Sequence, residues 1–331
     1  MSKNIKIAVF GGGSWATAIV KMLCENLDEI GWYMRSEYAV EHIKRNGHNP
    51  TYISSAEFDV KQLKLSTNIN ELVDYADYLI FAIPSAFVKT ELDKITSSLK
   101  GKVIFSAIKG IVPETGLLVG DHFVKHYDIP FNNIGVITGP CHAEEVAMER
   151  LSYLTIASKD QEKARIIAKA LSSRFIKTKL SDDVIGTEYA AMLKNIYAIA
   201  AGIAHGLGYG DNFQAVLMSN AIREMKRFVK KEQKMKRNIN NSAYLGDLLV
   251  TGYSVFSRNR MFGNMIGKGY TVKSAMMEMS MVAEGYYATK SAFLINEKNQ
   301  AKTPILDSVY QILYNAKNAK TEFENLTNLI D

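Results

Sequence analysis

A short apolar run ending in three glycines constrains this chain more than any other stretch. Lys6-Ile7-Ala8-Val9-Phe10 reads as a strand buried in a parallel sheet, and Gly11-Gly12-Gly13-Ser14-Trp15-Ala16-Thr17-Ala18-Ile19 follows at once. The second stretch reads as a tight turn opening a helix, so the G-x-G-x-x-G/A pattern stands after a strand and before a helix, the context it requires. Gly11 is predicted to permit the turn, Gly13 to let the backbone approach a pyrophosphate, and Ala16 to allow close packing of helix on strand. The anion would lie on free N–H groups at the positive end of the helix dipole. A glycine turn with no ligand is the plainer alternative.

The βα pattern then repeats. Residues 30–34 read as a second strand and Glu37 to Asn46 as a helix, with Gly47-His48-Asn49-Pro50 breaking it. Residues 52–68 are polar and mixed and read as an excursion. Residues 78–83 form a strand stopped by Pro84-Ser85, which is predicted to start a helix reaching Leu99. Further strands are predicted at residues 102–107, 134–138, 151–157 and 175–180, with a helix between the last two. This alternation predicts an α/β chain with an N-terminal Rossmann-like, doubly wound parallel sheet. Ligands of such sheets lie outside the carboxyl ends of the strands. Gly11 to Gly13, Arg35, Pro84-Ser85, Lys109 and Gly139 to Ala143 are therefore predicted to line one crevice.

From about Ser181 the β-branched runs give way to helical periods, which predicts an all-helical second domain. The boundary is placed between 1–184 and 185–331. A chain of 331 residues exceeds what a single ordinary core organises. Leu193, Ile196, Tyr197, Ala200, Ile203, Ala204 and Leu207 recur at helical steps as one buried stripe. Lys194 stands beside that stripe, with Ala198, Ala201 and Gly202 on the adjoining face. Lys194 reads either as a solvated lysine or as one that a ligand approaches closely. Asp247 reads as a helix cap or a site carboxylate, and Arg258 as a surface charge or an anion ligand. Met276, Met277, Met279 and Met281 read as core filling.

Composition excludes several classes. No apolar run reaches the roughly 18 residues of a membrane span, and residues 1–4 lead into the first strand without a signal-peptide core. Cys24 and Cys141 offer no disulfide framework and point to a reducing, cytoplasmic compartment. The six histidines are scattered along the chain, and no metal is predicted. The net charge of +6 suits small polyanions, nucleic acid or an anionic surface. The densest basic run, Lys226, Arg227, Lys230, Lys231, Lys234, Lys236 and Arg237, reads as a solvated helix face. It lacks the interleaved aromatics that stack bases, so nucleic acid is not predicted as a partner. An anionic lipid surface is the alternative reading of that run.

Arg35 ends the second strand, where NAD enzymes of this fold carry an acidic residue on the ribose 2′-hydroxyl. A cation there suits a 2′-phosphate, so NADP(H) is favoured with NAD(H) as the alternative. A solvated loop arginine is the other reading of the same residue.

Taken together, Gly11-Gly12-Gly13-Ser14-Trp15, Ile108-Lys109-Gly110, Gly139-Pro140 with Ala143-Glu144-Glu145, and Leu193-Lys194-Asn195 resemble the bacterial type of NAD(P)-dependent glycerol-3-phosphate dehydrogenase. Gly208-Tyr209-Gly210-Asp211-Asn212, Leu245-Gly246-Asp247-Leu248, Ser257-Arg258-Asn259-Arg260 and Val282-Ala283-Glu284-Gly285 extend the resemblance over nearly the whole chain. It implies reversible hydride transfer between NAD(P)H and dihydroxyacetone phosphate, giving sn-glycerol 3-phosphate for phospholipid synthesis. It makes Lys194 the acid/base, Lys109 a second active-site lysine, and Asp247 the carboxylate that orients Lys194. Gly139, Cys141, Asn195, Thr251, Ser257, Arg258 and Asn259 complete the implied substrate set, with Arg258 and Asn259 on the phosphate. Gly11, Gly13, Ser14, Trp15, Arg35, Lys109, Ala143, Arg258, Val282 and Glu284 are implied on the cofactor. A helical second domain often dimerises, so a homodimer is one open reading of the assembly, which the sequence does not fix. The types suit the chemistry: hydride attack on a ketone leaves an alkoxide that needs a proton and nearby positive charge.

The chain departs from the family at Ala16, at Cys141 (often serine or threonine), at His142, at His205 (often aspartate) and in the basic run. Two alternatives stand beside the resemblance: a β-hydroxyacid dehydrogenase of related architecture, and a non-catalytic NADP-binding sensor.

Overall fold

Four-residue apolar runs become the central strands because both faces of the sheet are covered by helices. The structure, a computed structural model, describes residues 5–279 and 283–331. In chain order the first part contains β1 (Ile7–Phe10), α1 (Ser14–Cys24), β2 (Ile30–Tyr33), α2 (Glu37–Asn46), β3 (Leu63–Ser66), α3 (Ile69–Tyr75), β4 (Tyr78–Phe81), α4 (Val88–Leu92) and β5 (Val103–Ser106). Two short strands outside the large sheet follow, β6 (Ile111–Val112) and β7 (Leu117–Leu118). Then come α5 (Val119–Tyr127), β8 (Ile134–Thr138), α6 (Ala143–Ala147), β9 (Ser152–Ser158), α7 (Gln161–Leu171) and β10 (Ile176–Ser181).

The eight-stranded sheet runs β3-β2-β1-β4-β5-β8-β9-β10. It is parallel from β3 to β8, with Ala8 of β1 facing both Gly31 of β2 and Leu79 of β4. The order reverses direction between β1 and β4, so the glycine turn after β1 lies at the topological switch point.

The sheet is mostly rather than wholly parallel. β9 runs antiparallel to β8, with Val136 facing Ala157, and β10 is parallel to β9. Apolar runs carry no sign of strand direction, which is why sequence alone does not predict this reversal. Two further expectations are corrected. The polar excursion contains the edge strand β3, whose Leu63-Lys64-Leu65-Ser66 alternation is only four residues long and is lost among the polar residues around it. The helix expected to reach Leu99 ends with α4 at Leu92. Beyond it, the side chain of Asn70 takes the N–H groups of Thr96 and Ser97 and donates to Lys94 O, holding the chain in turns.

The later part is helical: α8 (Val184–Gly206), α9 (Asp211–Glu232), α10 (Asp247–Tyr253), α11 (Arg258–Gly267), α12 (Val272–Glu278), α13 (Glu284–Asn299), α14 (Pro304–Tyr314) and α15 (Ala319–Thr327). Two compact units result, one of residues Met1–Ile108 with Leu117–Val184, the other of Lys109–Gly116 with Ile185–Asp331. Helix α8 is buried around its whole circumference over residues 186–204, not along one stripe. A helix buried on all sides is the central element of its unit, and this one carries Thr187, Glu188, Lys194 and Asn195 into the interior. The methionine expectation fails in part: Met277 is exposed, Met276 and Met279 are half-buried, and Met281 lies outside the described residues. No helix among the described residues is long and apolar enough to cross a membrane.

Candidate active site

In the first unit the site begins with the glycine turn. Gly11 has φ +137°, and a Cβ there would lie 2.4 Å from Ala82 O, so backbone and neighbour both demand glycine. Gly13 has an extended backbone, and a Cβ on it would meet nothing within 4 Å. The protein itself does not require glycine at that position; a ligand seated against the backbone would. Ala16 is fully buried against the turn, while Ser14 is buried and Trp15 half-buried at the start of α1.

Other strand ends lie on the same edge of the parallel strands. Arg35 follows β2, is exposed, and stacks over the Phe87 ring at 5.7 Å. Gly139 follows β8 at φ +122°, where a Cβ would lie 2.7 Å from Tyr153 O. Cys141 is buried and in no disulfide, and Ala143 opens α6. The thiol of Cys24, likewise in no disulfide, is pushed up to about 12 by burial, which leaves it inert.

In the second unit, α8 and α10 bring Lys194 and Asp247 into a buried ion pair, Lys194 Nζ donating to Asp247 Oδ1. Asp247 is the first residue of α10, yet its carboxylate serves Lys194, and the capping position belongs to Gly246. A π-helical turn at Ser242–Gly246 leads into α10 and sets the angle at which Asp247 enters. Asn195, also buried, donates through Nδ2 to Lys109 O at 3.2 Å, which keeps its Oδ1 as an acceptor. Thr251 donates its hydroxyl proton back to Asp247 O at 2.6 Å.

Helix α11 contributes Arg258 and Asn259 in its first turn, with Ser257 as its N-cap accepting from Arg260 N at 3.3 Å. Asn259 Oδ1 accepts from Gly285 N at 2.9 Å, which ties the start of α13 to the start of α11. Glu284 is the first residue of α13, where its charge also complements the helix dipole. Val282 lies outside the described residues.

Glycines set how closely these helices meet. A Cβ on Gly202 of α8 would lie 2.0 Å from Arg260 O, and one on Gly263 of α11 would lie 2.1 Å from Ile199 O. One turn further on, Gly206 and Gly267 repeat the arrangement, with Cβ positions 2.4 Å from Asn264 O and Ile203 O. The two backbones touch along a reciprocal four-glycine contact that fixes the Arg258 end of α11 against α8. Gly285 does the same for α13, at 2.6 Å from Asn195 O. The structure therefore brings Lys109, Lys194, Asn195, Asp247, Thr251, Ser257, Arg258, Asn259 and Glu284 together in the second unit. In the first it places Gly11, Gly13, Ser14, Trp15, Arg35, Gly139, Cys141 and Ala143 after strands at the same edge of the sheet, with β4 and β5 between the β1 and β8 groups. Trp32 and Asn49, which bond the glycine turn from beneath, have no signature in the sequence.

A sheet of this order with a glycine turn at its switch point is the dinucleotide-binding class of fold, here in one chain with a helical unit that holds a buried Lys–Asp pair. The family model for the NAD-dependent glycerol-3-phosphate dehydrogenase N-terminus matches residues 6–164, and that for the C-terminus matches residues 183–324. The chain is 33% identical to the glycerol-3-phosphate dehydrogenase [NAD(P)+] of Macrococcus caseolyticus, over 98% of this chain and 98% of that protein. It is 32% identical to the protein of the same description from Bacillus subtilis, over 97% and 93%. The crystal structure of glycerol-3-phosphate dehydrogenase from Coxiella burnetii is similar at a TM-score of 0.90 and 26% identity, covering 98% of this chain and 99% of that one. The chain belongs to the NAD-dependent glycerol-3-phosphate dehydrogenase family.

Proposed function

We propose that the protein reduces dihydroxyacetone phosphate to sn-glycerol 3-phosphate with NADPH, and reversibly with NADH, in the cytoplasm, supplying glycerophospholipid synthesis. The observation that carries this reading is the buried Lys194–Asp247 pair in one unit with Arg258 and Asn259. In this reading the first unit holds the dinucleotide and the second the substrate.

When bound, a nicotinamide cofactor would supply or accept the hydride at the substrate's central carbon. As that carbon is reduced, the Lys194 ammonium gives a proton to the carbonyl oxygen, and solvent restores it. Asp247 holds the ammonium in one direction, and Lys109 adds positive charge. The Arg258 guanidinium matches a phosphate in a bidentate fork, and the first turn of α11 adds N–H groups and dipole. Asn259, its Oδ1 engaged by Gly285, has its Nδ2 amide for the same phosphate. Ser257 Oγ accepts from Arg260 N and keeps its proton to donate, and Thr251 Oγ1 donates to Asp247 O and keeps lone pairs to accept, so both hydroxyls serve the substrate set. Gly139 and Cys141 complete the substrate set, and Trp15, Ser14, Ala143, Glu284 and Val282 the cofactor set.

Arg35 supports NADPH, because an exposed cation after β2 is free to meet a 2′-phosphate. Arg35→Asp is expected to raise KM for NADPH about tenfold more than KM for NADH. The exposed Tyr253, Val255 and Phe256 of the second unit support a homodimer, which sedimentation equilibrium checks. The deciding experiment follows nicotinamide absorbance with dihydroxyacetone phosphate and with unphosphorylated dihydroxyacetone, beside the Lys194→Ala protein. Turnover is expected to need the phosphate and to collapse in the variant. Equal turnover of both substrates, or an active variant, overturns the reading.

A further inference from the structure

Each carbonyl oxygen of the glycine turn is held by a buried donor of its own. Trp32 Nε1 donates to Gly11 O at 2.8 Å, and Asn49 Nδ2 to Gly12 O at 3.1 Å. Gly13 O accepts from both Thr17 N and Thr17 Oγ1 at 3.0 Å. Asn49 Nδ2 also donates to Thr17 Oγ1 at 3.0 Å, which directs the threonine's own proton toward Gly13. Asn49 is fixed in turn, its Oδ1 accepting from Thr51 N at 3.0 Å and Tyr52 N at 3.1 Å. Trp32, Thr17 and Asn49 are each no more than 1% exposed.

The peptide unit is planar and trans, so the carbonyl of one residue points opposite to the N–H of the next. Holding the carbonyls of Gly11, Gly12 and Gly13 toward the interior turns the N–H groups of Gly12, Gly13 and Ser14 outward. Among the described residues none of these three N–H groups has a protein acceptor. They form a concave row of donors at the start of α1, beside the open Cβ direction of Gly13.

We infer that Trp32, Asn49 and Thr17 are positioning residues for the dinucleotide, setting the direction of the N–H groups that receive its pyrophosphate. The inference rests on the proposed seating of the cofactor on this turn. Without the clamp the glycine peptides are free to rotate, and binding must then include the cost of ordering them.

The test uses Thr17→Val, which keeps shape and removes the hydroxyl, Asn49→Ala, and the rescue variant Thr17→Ser. NADPH affinity is read by fluorescence titration, beside adenosine 2′-monophosphate, which lacks the pyrophosphate. Hydrogen exchange over residues 11–17 is read in ligand-free protein. Thr17→Val and Asn49→Ala are expected to weaken NADPH about tenfold, to leave adenosine 2′-monophosphate within about twofold, and to speed exchange in the turn. Thr17→Ser is expected to match the wild type. If Thr17→Val does not fold, Trp32→Phe removes the Gly11 donor with the ring retained and reads the same outcome. Unchanged NADPH affinity, or equal weakening of both ligands in step with Tm, overturns the inference. Gly13→Val separates the two readings. If filling the open direction leaves NADPH binding intact, the seating itself is wrong. If it abolishes binding while the clamp variants bind normally, only the positioning role is wrong.

Discussion

Lys194 and Asp247 show how a charge becomes tolerable in a core. Each is nearly inaccessible to water, and each supplies the other's counter-charge. Removing the Asp247 carboxylate leaves the Lys194 ammonium buried without its counter-charge, a loss of about 3–5 kcal/mol. Asp247→Ala is therefore expected to lower stability to urea by about that amount. The double variant Lys194→Met, Asp247→Leu is expected to recover most of it while remaining inactive, a combination that melts and turnover assays report together. Glu224 presents the opposite case. Burial pushes its carboxyl up to about 8, although its oxygens accept from Ile305 N and Leu306 N at the start of α14. The unfolded chain releases this proton near the ordinary value of 4.5, so between the two values the folded chain binds more protons. The stabilisation is full below the lower value and is lost as pH rises through the upper one. Tm is expected to fall from pH 5 to pH 9, and Glu224→Gln to flatten that slope. Of these residues the sequence marks Lys194 and Asp247 through their surrounding motifs. Glu224, Trp32 and Asn49 are silent because their partners are backbone groups far along the chain.

Among the elements, the crossing of α8 and α11 carries the most geometry per residue. Its four glycines put backbone against backbone, where even one methyl has no space. Gly263→Ala is expected to cost about 3 kcal/mol or more in chemical denaturation, from overpacking against Ile199 O. Where the protein still folds, the start of α11 shifts and KM for dihydroxyacetone phosphate rises with it. The helical period of α8 and the small residues beside Lys194 are visible in the sequence, as are Gly263 and Gly267. That the two glycine pairs face each other is not, since periodicity reports a face and never its partner. The same limit explains β9: its apolar run announces a strand, while its direction depends on pairing with β8. Residues 94–97 lose their helix for a related reason, because the competing partner, Asn70, sits more than twenty residues away.

In the whole molecule, charge and chain path organise function separately. Lys226, Lys230, Lys231, Lys234 and Lys236 are exposed, and among the described residues none of them is paired with a carboxylate. Their replacement by glutamine is expected to change stability by less than about 0.5 kcal/mol. Turnover of such a variant is expected within about twofold of wild type, as a solvated face requires, and steady-state kinetics check it. The switch from βα alternation to continuous helix is legible near residue 184. The assignment of Lys109–Gly116 to the second unit is not, because that segment lies in sequence between two pieces of the first. Its Lys109 carbonyl receives Asn195, an anchor eighty-six positions downstream. The consequence reaches beyond this molecule to how such enzymes can be recombined. A gene fusion joined at residue 184 exchanges two units that look like separate cassettes, yet it imports a foreign copy of those eight residues with the first. The receiving α8 then meets an insert selected beside another helix. Productive shuffling must move the segment together with the later half, so inheritance here follows contacts rather than chain order.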